Sequence, residues 1–162
     1  MSPAIGIAQQ LRLRGHDVVF AGYETQRKRF ESHGLVSMTL RRSGSFAIYH
    51  PRRPAERIPF TGNVWACPAH LDDVPDAVEE TSADVLIVDC MMQGALAAQG
   101  LSTPVAVLAH SSSAGLIPQP ESPVGAALLA ATNRVREQAG LSAVSRLSDG
   151  WSGRLTLVTY WA

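Results

Sequence analysis

Two short runs constrain the fold of this chain more than any other feature. Residues 17–21 (DVVFA) and 85–89 (VLIVD) are almost unbroken apolar segments rich in β-branched residues. Runs of that length and kind read as parallel strands covered on both faces, since a half-exposed strand alternates instead. Residues 4–14 form a helix that Ser2 can cap and Pro3 can open; Gly15 closes it just before the first run. The pattern then repeats. A polar helix at residues 24–33 ends at Gly34, and a strand follows at residues 35–40. Helix 71–83, broken or started at Pro75, leads into VLIVD. Further along are an alanine-rich helix at 93–100, a strand at 105–109, a loop at 110–122, a helix at 123–139 capped by Gly140, and a last strand at 155–160.

Strands alternating with helices of about 10–15 residues predict an α/β protein with a Rossmann-like, doubly wound parallel sheet and right-handed crossovers. Such a sheet normally opens on a strand that becomes central, whereas this chain opens on a helix, so the first strand is expected to be missing. Residues 41–69 break the rhythm with Pro51, Pro54, Pro59 and Pro68, and are expected to form a long irregular surface loop.

The chain has 162 residues, enough for a single domain or one large half of a two-domain protein. Fourteen basic residues balance fourteen acidic ones, which argues against nucleic-acid or anionic-membrane partners and leaves neutral small molecules open. Two cysteines, Cys67 and Cys90, are too few for a disulfide scaffold and lack zinc-ligand spacing. No apolar stretch approaches the roughly 20 residues of a membrane span, and no basic and apolar leader follows Met1. The cytoplasm is the expected compartment.

Several residues carry chemistry. Asp89 ends the second run, where open α/β sheets place ligands; it is either a site residue or an aspartate that caps the next turn. His16 enters its strand at the amino end and is expected to be a turn residue. His110 follows strand 105–109 at its carboxyl end, beside Ser111, Ser112 and Ser113; GxSxG is absent, so these serines are no nucleophile elbow. Phe46, Tyr49, Phe60 and Trp65 in the irregular segment either build a satellite core or floor an apolar ligand pocket. Arg52, Arg53 and Arg57 are expected to solvate their loop, and Asp72-Asp73 and Glu79-Glu80 to serve the helix rather than a metal.

Three segments together, SPAIGIAQQLRLRGHDVVFAG, ADVLIVDCMMQGALAAQGLSTPVAVLAHS and NRVREQAGLSAVSRLSDGWSGRLTLVTYWA, resemble the N-terminal, acceptor-binding domain of GT-B fold glycosyltransferases of the macrolide and natural-product type (family 1), truncated at both ends. The resemblance implies transfer of a sugar from a nucleotide-sugar donor to a hydroxyl of a small apolar acceptor, with no further cofactor. It implies a histidine in the first loop as general base and a strand-end aspartate that orients it, a sensible dyad near neutral pH. By motif position the aspartate is Asp89; the histidine would precede Met1. His110 and Ser111 would line the acceptor pocket, with Phe60 and Trp65 on its floor. The donor would bind mainly to a second domain beyond Ala162, so the chain alone is expected to be inactive.

Two other readings compete: a non-enzymatic doubly wound binding domain, and the binding subunit of a split transferase that docks on a donor-domain partner. A receiver lacks its acidic pair and lysine here, since Lys28 is the only lysine; a flavodoxin lacks its Ser/Thr phosphate loop; a cobalamin domain lacks DxHxxG; a dinucleotide unit lacks GxGxxG. With a central strand absent, exposed ladder edges predict a marginal, aggregation-prone or homo-oligomeric polypeptide.

Overall fold

The computed structural model describes residues 3–109 and 119–158. Its contacts divide the chain into two compact units, Met1–His50 and Pro51–Ala162.

In the first unit, helix α1 (Pro3–Leu13) buries Ile5 and Ala8 against Leu35, with Val18, Phe20 and Phe30 around them. Gly15 takes φ +87°, a conformation closed to most side chains, and the His16 N–H then donates to the Leu11 carbonyl at 3.1 Å. That turn delivers the chain into strand β1 (Val19–Gly22), which pairs parallel with β2 (Val36–Thr39) in the register Val19 opposite Val36. Helix α2 (Glu24–Glu31) makes the crossover, and its Phe30 stacks on Phe20 with ring centres 4.2 Å apart. The Arg12 guanidinium donates to the Gly34 carbonyl. Beyond β2, the Glu24 N–H donates to the Gly44 carbonyl at 2.9 Å and Tyr23 meets Phe46 edge-on, fastening the following segment to the strand ends.

The second unit begins with helices α3 (Pro54–Trp65) and α4 (His70–Thr81), followed by β3 (Leu86–Asp89) and the short α5 (Gln93–Leu96). Strand β4 (Val105–Ala109), helix α6 (Pro123–Gln138), a 3₁₀ turn (Leu147–Trp151) and β5 (Leu155–Val158) complete it. The ladder runs β3-β4-β5, parallel throughout, with Asp89 opposite Leu108 and Ala106 opposite Leu155. Val88, Cys90, Leu96, Val107, Ala109 and Trp151 form one buried cluster; Ala66, Ala97, Ala131 and Val135 form another. Ser122 caps α6 by accepting the Gly125 N–H at 3.0 Å.

The mixed α/β class and the parallel pairing expected from the sequence are present. Four details differ. Residues 41–69 are not one long loop, because α3 occupies Pro54–Trp65. Pro54 sits in the first turn, where its missing N–H costs nothing, and the Glu56 carboxylate accepts the Arg53 N–H at 3.2 Å. Pro59 lies inside the helix, where proline costs about 3 kcal/mol, and the helix continues past it to Trp65. Pro75 likewise sits within α4 and neither starts nor breaks it.

The alanine-rich helix stops at Leu96 rather than Gly100: the Gln99 amide donates to the Ala97 and Ala98 carbonyls, a local competitor to the helical ladder. Finally, neither apolar run is covered on both faces: Val18 and Phe20 are half-buried, and Val88 is the one buried residue of 85–89. Val19 is 42% exposed and Ile87 37%, whereas Val88 is 5% exposed. Among the described residues β1 pairs with β2 alone and β3 with β4 alone.

Candidate functional site

Asp89 is the last residue of β3 and lies at the carboxyl end of the parallel ladder. One carboxylate oxygen accepts the Met91 N–H at 2.9 Å, an Asx turn, while the Asp89 carbonyl accepts the Met92 N–H at 2.9 Å. The Cys90 N–H donates across to the Leu108 carbonyl, and the buried Gln93 amide donates to the Cys90 carbonyl at 2.8 Å. These bonds hold the strand-end turn, and with it the half-buried Asp89 carboxylate, in one geometry. β4 reaches the same end at Ala109, immediately before His110. His110 and Ser111, expected to line the pocket, lie outside the described residues.

Phe60 and Trp65 belong to α3, both half-buried. The Arg52 guanidinium carbon stands 3.2 Å from the centre of the Phe60 ring, a cation–π contact, and Arg57 Nε donates to the Arg52 carbonyl at 3.3 Å. Arg52 therefore covers an aromatic face instead of only solvating a loop. Phe46 belongs elsewhere: it meets Tyr23 within the first unit.

Sequence reasoning missed a buried polar group in the first turn of α4. His70 is wholly buried and Asp73 is 1% exposed. The two are three residues apart and so share a helix face. Burial drives the His70 pKa down to about 4, and the Asp73 carboxylate only partly opposes it. His70 is thus a neutral imidazole at pH 7. Cys67, also buried, has its thiol pKa raised by loss of solvent, which keeps it from being a reactive thiolate. The spacing of His70 and Asp73 was the available signal, but adjacent Asp72 made the pair read as a solvated helix start. Among the described residues no three His, Cys, Asp or Glu side chains converge as metal ligands. None of their helices is long and apolar enough to cross a membrane.

The parallel α/β ladders match part of the GT-B glycosyltransferase fold. The glycotransferase of kitacinnamycin superposes with a TM-score of 0.62 at 15% identity, over 97% of this chain and 42% of its own. The spinosyn rhamnosyltransferase SpnG gives 0.56 at 18% identity, over 88% and 39%. SnogD from Streptomyces nogalater gives 0.52 at 16% identity, over 98% and 40%. The chain therefore spans about two-fifths of the length of these solved structures. No family model matches the sequence, and no curated protein matches it.

Proposed function

We propose that this chain is the acceptor-binding part of a glycosyltransferase that moves a sugar from a nucleotide-sugar donor to a hydroxyl of a small apolar natural product. The observation that carries this reading is Asp89, held at the carboxyl end of β3 in a fold shared with natural-product glycosyltransferases. Ligands of open α/β sheets gather at that end. In the reaction, the acceptor oxygen bonds to the anomeric carbon as the bond from that carbon to the nucleoside diphosphate breaks. The hydroxyl proton passes to a general-base histidine, which the resemblance places in the first loop of such enzymes. Asp89 acts as its positioning residue, fixing the tautomer and stabilising the imidazolium.

His110 and Ser111 would then border the acceptor, with Phe60 and Trp65 supplying apolar area. SpnG has been solved with spinosyn aglycone and with thymidine diphosphate, one ligand of each kind this reading requires. The donor would be held mainly by a second domain. Joined to a GT-B donor domain and to a segment bearing the base, the chain should support transfer. If that assembly binds acceptor and donor yet turns over equally well with Asp89→Ala, Asp89 has no positioning role.

A further inference from the structure

Asp89 marks one end of the β3-β4-β5 ladder; a separate feature occupies the other. Val105 opens β4 and Arg154 directly precedes β5, so both stand at the amino end. They line an open surface hollow of about 270 Å³ together with Ala98, Gln99, Gly100 and Leu101. Ala98, Leu101 and Val105 make the apolar part of its wall. Gln99 commits its amide N–H groups to the Ala97 and Ala98 carbonyls, which leaves Arg154 as the cationic donor of the wall.

The Arg154 guanidinium is anchored by one bond, Nη2 to the Leu96 carbonyl at 2.9 Å, out of the five N–H groups it carries. Loss of solvent lowers its pKa, and the charge that adds to this effect is another cation, Arg136. Arg136 is itself tied down, its Nε donating to the Ser142 carbonyl at 2.8 Å. Arg154 is thus the one cation in the wall of this hollow, and among the described residues no carboxylate forms an ion pair with it. An anion in the hollow would complete the fork of Arg154, one of whose N–H groups is bonded to the Leu96 carbonyl.

We propose that this hollow binds a small organic anion, whose carboxylate or phosphate monoester sits on Arg154 and whose apolar body lies along Leu101 and Val105. It is distinct from the acceptor site proposed above, which lies at the other end of the strands.

The test is a titration of the isotope-labelled chain at low salt with benzoate, phenyl phosphate and the neutral benzyl alcohol. Saturable shifts at Gly100, Leu101, Val105 and the Arg154 side chain are expected with at least one acid. Benzyl alcohol should bind about tenfold or more weakly, the worth of one charge-assisted hydrogen bond. The tighter acid assigns the head group. Arg154→Met should weaken that acid by a similar factor. Because this change also removes the bond to Leu96, the unaltered chain is probed with phenylglyoxal, and the acid should slow modification of Arg154 selectively. Equal binding of acid and alcohol, undiminished acid binding by a folded Arg154→Met chain, or no protection of Arg154 would each overturn the proposal.

Discussion

The His70 imidazole lies directly over Gly94: its Nδ1 is 2.8 Å from where a Cβ on Gly94 would stand, and the Cys67 carbonyl is closer still. α4 and α5 meet there without room for a methyl group, and the obstructing Cys67 atom is backbone, which cannot swing aside. Gly94→Ala should therefore destabilise the chain by about 1–3 kcal/mol, as overpacked cores do. Urea unfolding measures this as a lower midpoint at unchanged slope.

Gly62 offers the opposite case. A Cβ there would meet Ala131 Cβ at 3.7 Å and Leu128 at 3.9 Å, ordinary contacts between α3 and α6. Gly62→Ala should stabilise the chain by about 0.5–1 kcal/mol through helix propensity alone. A loss of stability in the same urea assay would show that α3 and α6 approach more closely than these distances allow.

Acid should destabilise the second unit through His70. Its pKa falls from the ordinary 6.5 to about 4 on folding, so the unfolded chain takes up the proton first. The stability due to the neutral imidazole is complete above about pH 6.5 and is lost as pH falls toward about 4. The slope from this one group reaches at most about 1.4 kcal/mol per pH unit. Asp73, buried beside it, opposes the shift without cancelling it. Denaturation curves between pH 7 and 4.5 should show the decline, and His70→Gln should flatten it. An unchanged slope in that variant would assign the acid sensitivity to other groups.

Asp89 has a structural task that separates from any catalytic one. Asp89→Asn keeps an oxygen to accept the Met91 N–H and should leave stability within about 0.5 kcal/mol, whereas Asp89→Ala removes the acceptor and should cost about 1 kcal/mol. Thermal unfolding of the two variants distinguishes these outcomes. In an assembled transferase both should slow turnover, because asparagine cannot balance an imidazolium.

The edges of the ladders predict self-association. Val36 is 64% exposed, Val85 55% and Leu155 70%, all in or beside strands. Exposed apolar side chains along a ladder edge favour strand pairing between chains. Light scattering should show growth with concentration, and a charge at one edge, Val85→Lys, should reduce it. A concentration-independent monomer would contradict this.

The repeating helices and strands were legible because each carried its own punctuation: Gly15 and Gly140 stand just after helices and take positive φ. Helix α3 was not, because Pro54 and Pro59 read as breakers when one of them is a favoured first-turn residue and the other is tolerated through tertiary burial. The partial exposure of DVVFA and VLIVD was also illegible, since what covers a strand is a tertiary property. The position of Asp89 at a strand end was legible because VLIVD marks its own strand. His70 and Arg154 were missed because burial of a charged or titratable side chain leaves no local mark in the sequence.

The central claim is acceptor binding at the carboxyl end of β3. Titrating the isotope-labelled chain with spinosyn aglycone and with a hydroxylated anthraquinone, and following backbone amide shifts, tests it most directly. The account predicts saturable binding of at least one such compound, with the largest shifts at Asp89, Met91 and Ala109 and none around Arg154. A folded chain that shows no saturable shift with any of them, or shifts confined to the amino end of the strands, would contradict it.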